Sequence, residues 1–151
     1  MLRTLSLALV LAGSSPAAQP TPLIGEWKIT YAGEIRMRNG VADPIMVTGT
    51  LVVRSEGDSL IATLATDESP QLPARPTLRF ATKFGSGDAV FVSRASATLN
   101  INGAERQATA VSTWTFKATG DALEGSVERR IEGMQSSGTG AQPIKGVRLK
   151  S

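Results

Sequence analysis

Three Gly-Asp pairs stand at nearly even intervals along the chain: Gly57-Asp58, Gly87-Asp88 and Gly120-Asp121. Each is followed, two residues after the Asp, by an aliphatic residue: Leu60, Val90 and Leu123. Each separates two runs in which apolar and polar residues alternate. Glycine takes positive φ without steric cost. At the first central position of a two-residue turn this favours type II′, whose twist matches antiparallel strands. Strict alternation is the signature of a strand with one buried face. Such a chain is constrained to fold as antiparallel hairpins, two strands to each interval of ~30 residues.

Eight strands are predicted, over residues 23–32, 45–54, 59–66, 77–84, 89–101, 105–118, 122–132 and 142–150. The inward positions include Trp27, Ile29 and Tyr31, then Val47, Leu51 and Val53, then Leu60, Ala62 and Leu64. Leu78, Phe80 and Phe84 follow, then Ser112, Trp114 and Phe116, then Leu123 and Val127. In the fifth strand, Val90 and Val92 put Arg94 inward unless a bulge shifts the phase. The Gly-Asp turns fall after strands two, four and six. Asn102-Gly103 is a type I′ hairpin signal after strand five. Longer connections over 33–44, 67–76 and 133–141 lie at the opposite end from the Gly-Asp turns. The fold class is therefore all-β: an eight-stranded antiparallel up-and-down meander. Closure into a barrel is favoured because it removes exposed edges, with a two-sheet sandwich as the alternative. The mid-strand glycines Gly49, Gly125 and Gly146 suit strands that coil. An outer-membrane barrel needs an apolar outer band. The outward face carries Lys28, Arg54, Arg79 and Lys83, which excludes it.

The first residues stand apart. Met1-Leu2-Arg3 is a basic start, residues 5–12 are apolar, and Ser15-Pro16-Ala17 precedes a cleavage point. This is the layout of a secretory signal peptide over residues 1–18, followed by a single domain over 19–151. The chain has no cysteine, so export brings neither a disulfide nor a lipid-anchoring cysteine. A secreted or periplasmic location is expected. The chain has no histidine either, which excludes Ser-His-Asp and Cys-His triads, His-ligated haem and the usual zinc sites. The formal net charge is +3, with the charges scattered singly rather than in a basic run, which argues against nucleic acid as a partner.

Gly25-Glu26-Trp27 opens the first strand. This Gly-x-Trp resembles the opening of lipocalins and related calycin barrels, avidins included. The resemblance implies a structural floor in which an Arg late in the chain packs over the Trp at the closed end. Arg148, near the end of the last strand, is placed to do so. A guanidinium on an indole face is a cation–π contact that also shields the barrel floor from water.

The expected function is non-catalytic binding of a small apolar or amphiphilic ligand, an acidic one included, without a cofactor or metal. Tyr31, Phe80 and Trp114 would supply contact, and Arg94, Arg106 and Arg129 would hold an acidic group. The plainer alternatives are that the aromatics fill a narrow barrel and that a phase slip turns each arginine into solvent. Glu124 and Glu128 share an outward face and do not make a hydrolase pair. The second functional reading is a protein-interaction or inhibitor-like module with a filled core, acting through the 33–44, 67–76 and 133–141 connections and the N-terminal segment.

Overall fold

The alternating runs form strands. A computed structural model describes residues 21–73, 75–83, 88–134 and 140–150. It is all-β, with β1 (Gly25–Arg38), β2 (Val41–Glu56), β3 (Ser59–Thr66), β4 (Leu78–Lys83), β5 (Ala89–Ile101), β6 (Ala104–Thr119), β7 (Ala122–Ile131) and β8 (Ala141–Arg148). The expected leader, Phe84, Gly87 and the middle of the 133–141 connection lie outside the described residues. Among those residues, no helix is long and apolar enough to cross a membrane.

The sheet order is β4-β3-β2-β1-β8-β7-β6-β5, every neighbouring pair antiparallel. This is an up-and-down meander closed by β1 pairing with β8, from Trp27↔Arg148 to Thr30↔Lys145. The remaining gap lies between β4 and β5, where no ladder forms among the described residues. Side chains bridge it instead: Phe80 and Phe91 meet at 6.1 Å between ring centroids. The result is a nearly closed eight-stranded barrel, compatible with a lipocalin-like fold.

The lower barrel is filled. Trp27, Ile29, Leu51, Leu64, Phe91, Trp114, Phe116, Leu123 and Ile144 are all buried in one cluster. Its centre is aromatic, with Trp114 at 5.4 Å from both Tyr31 and Phe80 and at 6.3 Å from Phe116. The offset and edge geometries suit ring quadrupoles. Below this core, Arg148 lies over the Trp27 ring at 4.1 Å. Its guanidinium donates to the carbonyls of Ile24 (2.9 Å), Pro22 (2.7 Å) and Gly120 (3.3 Å). The Trp27 Nε1–H is satisfied by the Leu23 carbonyl at 2.8 Å. One side chain thus ties the N-terminal lead and the β6–β7 turn to the end of β8.

Turn chemistry follows the sequence at two of the Gly-Asp pairs. Gly57 and Gly120 both have φ of +59°, and positive φ does not extend to the following Asp, as type II′ requires. The turn expected at Gly87-Asp88 lies outside the described residues, which take in only its Asp88.

The expected 33–44 connection is not a loop. β1 and β2 continue as a ladder to Arg38↔Val41 and turn at Asn39 (φ 52°) and Gly40 (φ 76°). Glu34, Ile35, Asp43 and Ile45 are only half-buried and Arg36, Arg38, Val41 and Ala42 are exposed, so the alternation that marks a half-buried strand is missing. Pro44 is tolerated because this part of β2 has no β3 partner: the β2–β3 ladder begins at Gly49. Gly33 is an extra residue in β1, a bulge between Ala32↔Met46 and Glu34↔Ile45.

The phase of β5 is opposite to the one expected from Val90 and Val92, which are 44% and 46% exposed. Phe91 is fully buried, and the β5–β6 register runs without a shift from Ala89↔Phe116 to Ile101↔Ala104. Arg94 therefore faces outward.

Candidate functional site

Above the aromatic core, the inner face of the barrel changes character. Cross-strand register puts Ser93 beside Ser112 and Ser112 beside Arg129, one polar row across β5, β6 and β7. The row beneath it is Phe91, Trp114 and Val127, all buried. On the opposite wall, the Tyr31 hydroxyl shares a hydrogen bond with Thr66 Oγ1. A recess of ≈ 240 Å³ opens at this level, lined by Tyr31, Thr66, Ser112, Trp114 and Arg129. Its sides include Pro76 and Leu78 near the start of β4, and Ser93 and Ala95 on β5. The recess therefore lies along the β4/β5 gap. The short β4 leaves the upper half of β5 without a neighbour there.

Two arginines meet at the rim. Arg129 Nη1 donates to the Ala32 carbonyl at 2.8 Å. Arg75 Nη1 donates to the Gly33 carbonyl at 2.7 Å. These are consecutive carbonyls of the β1 bulge, where the register to β2 shifts. Both arginines line the recess, and both also line a second hollow of ≈ 350 Å³ on the mouth side, with Glu34, Arg130 and Ile131. The bulge is tightly packed. A Cβ on Gly33 would lie 2.8 Å from Val47 Cγ2 and 3.0 Å from Leu72 Cδ1.

The electrostatics are unbalanced. Burial pulls the Arg129 guanidinium below its ordinary value; Tyr31 opposes this, and the like charge of Arg75 adds to it. An arginine still remains protonated. Among the described residues no carboxylate pairs with Arg129. Arg75 has one, Glu34, at a loose 3.9 Å, and that carboxylate also takes a 3.0 Å bond from Arg36 Nε. Arg129 also lies over Trp114, 5.5 Å from the ring centroid. Trp114 is 2% exposed, and its Nε1–H is the one buried side-chain polar atom without a hydrogen-bond partner among the described residues.

The candidate residues separate clearly. Tyr31, Trp114 and Arg129 line the recess. Phe80 is buried against Trp114 as core. Arg94 is exposed on the outer face, opposite Val111. Arg106 is on the inner-face register but exposed on the β5–β6 arm, about 27 Å along the strand from Trp114 at ~3.4 Å per residue. Gly25, Trp27 and Arg148 form the floor at the opposite end.

Sequence reasoning placed Ser112 inward but missed Arg75, Thr66 and Ser93 as lining residues. Ser93 and Ser112 carry a readable signal. A two-residue Asn102-Gly103 turn pairs residue 101 with 104, hence 93 with 112 and 91 with 114, so Phe91 and Ser93 must share the face of Trp114. Nothing local marks Arg75, which reaches the bulge from the 67–76 connection.

No protein-family model, no curated protein and no solved structure matches the chain at a significant level.

Proposed function

We propose that this chain is an exported, lipocalin-like, non-catalytic binding protein that holds one small amphiphilic molecule in the recess above its aromatic core. The observation that carries this reading is the recess itself, where Arg129, paired with no carboxylate among the described residues, stands beside the apolar surfaces of Trp114 and Leu78. The surrounding Tyr31, Pro76, Leu78 and Trp114 surfaces offer apolar contact to the rest of such a molecule. Access runs between the 67–76 connection and the upper edge of β5.

A second reading draws on the filled lower core. A barrel with so little free interior also suits a protein-interaction module, with the β1–β2 and β5–β6 arms and the N-terminal segment as contact surfaces.

Native mass spectrometry on protein isolated gently from its own host decides between the two. A mass excess lost on denaturation supports the binding protein and identifies its ligand. A bare chain mass, with no change in tryptophan fluorescence or melting temperature across a panel of small amphiphiles, overturns it in favour of the interaction module. Export is tested on the same sample: N-terminal sequencing is expected to start at residue 18 or 19, and an intact Met1 in the cytoplasm would refute it.

A further inference from the structure

We propose that Arg75 and Arg129, seated on consecutive carbonyls of the β1 bulge, form a clamp for the carboxylate of a compact organic acid whose apolar body lies against Trp114. This rests on the binding reading above and names its ligand class.

Three observations converge. The first is charge: two guanidiniums share one rim, and the acid nearest to them, Glu34, is divided between Arg75 and Arg36. A guanidinium carries five N–H donors in a fixed fork that matches a carboxylate. Among the described residues, Arg129 spends that fork only on the Ala32 carbonyl. The second is the lining, where the hydroxyls of Thr66, Ser93 and Ser112 add donors to those of the two arginines. A carboxylate accepts and does not donate, which suits a site made of donors. The third is size. Benzene fills a cavity of about 150 Å³, so on the same scale a recess of ≈ 240 Å³ holds about ten non-hydrogen atoms. The core below is filled, so a long alkyl chain has no room to descend. A phosphate dianion is disfavoured: Glu34 offsets part of the positive charge, and Pro76, Leu78, Ala95 and Trp114 make the remaining walls largely apolar.

The bulge is what makes the clamp. Arg129 comes from β7 and Arg75 from the β3–β4 connection, and like charges do not gather unaided. Each is held by a backbone carbonyl of the bulge, Ala32 for Arg129 and Gly33 for Arg75.

The test is titration of the folded protein, followed by tryptophan fluorescence and calorimetry, with phenylacetate, its neutral isostere phenylacetamide, dodecanoate and inorganic phosphate. Phenylacetate is expected to bind about tenfold or more tightly than phenylacetamide, the margin of a hydrogen bond to a charged group. Arg75→Gln and Arg129→Met should each erase that margin by weakening phenylacetate more than phenylacetamide; Glu34→Gln should widen it. If Arg129→Met does not fold, Arg75→Gln decides, because Arg75 sits on a connection with its side chain one-third exposed. Equal binding of acid and amide overturns the clamp and leaves the binding reading standing. Tighter binding of dodecanoate or phosphate overturns the compact-acid assignment. Binding of none of the four overturns the clamp and counts against the binding reading itself.

Discussion

At the scale of single residues, the floor shows how one position can be closed to every side chain but hydrogen. Gly25 has φ of +143°, and a Cβ there would lie 2.4 Å from Arg148 Nη1. Gly25→Ala therefore strains the backbone and displaces the guanidinium that caps Trp27. It is expected to cost about 2 kcal/mol, the scale of a non-glycine residue forced into a sparse region plus a weakened cation–π contact. Urea unfolding measures this directly; a change below about 0.5 kcal/mol, the ordinary range for surface substitutions, would show that Arg148 can relocate freely. Gly125 is constrained differently. Its φ is ordinary for a strand, but a Cβ would meet the Thr115 carbonyl oxygen at 2.0 Å, so close backbone approach alone requires glycine.

At the scale of elements, the phase of β5 decides which arginine reaches the site. Arg94 and Arg129 both sit in alternating strands, yet the β5 register turns Arg94 out with Val90 and Val92, while the β7 register places Arg129 beside Ser112. Paired substitutions test the phase. Phe91→Ala is expected to cost about 3–5 kcal/mol, the range for a fully buried aromatic. Val92→Ala should cost under about 0.5 kcal/mol, as for an exposed site. Comparable costs would mean that β5 slides. The β3–β4 connection, which carries Arg75, is tied down at its start. Asp67 accepts hydrogen bonds from Lys28 Nζ and Thr48 Oγ1, both 2.5 Å, and its pKa is lowered below 3.8, first by the Lys28 bond and then by that from Thr48. A carboxyl lowered in the folded state binds fewer protons folded than unfolded at intermediate pH. Its contribution is therefore complete above 3.8 and is lost as the pH falls through the folded value. Asp67→Asn is expected to remove that acid-side dependence in urea titrations, and the effect is small because the pair is partly exposed and screened.

At the scale of the whole molecule, the barrel has one weak line. β1 and β8 are hydrogen-bonded, whereas β4 and β5 form no ladder among the described residues and meet through side chains such as Phe80 and Phe91. Unpaired edges open at lower free energy than central strands. Native-state hydrogen exchange is expected to be fastest along β4 and the upper half of β5 and slowest in β1, β8 and β7. Uniform protection around the barrel would show that the gap is closed in solution. The recess lies along this gap, so the same line that limits stability would give the proposed ligand its way in.

The all-β class, the meander and the two described Gly-Asp turns are legible in the sequence, because alternation and turn chemistry act over a few residues. So is the inward set built on Trp27, Tyr31, Trp114 and Phe116. Even the β5 phase is latent there, since the Asn102-Gly103 turn carries the register from Trp114 to Phe91. Tertiary structure alone decides three things. It places the open gap between β4 and β5, because pairing the chain's first and last strands depends on the coiling of all eight. It converts Gly33 into a bulge, because only the Met46 and Ile45 register leaves that residue unpaired. And it brings Arg129 to a carbonyl 97 residues away, with Arg75 beside it. These are long-range contacts whose partners share no local pattern: each arginine alone is an ordinary polar residue, and only the closed sheet makes them neighbours.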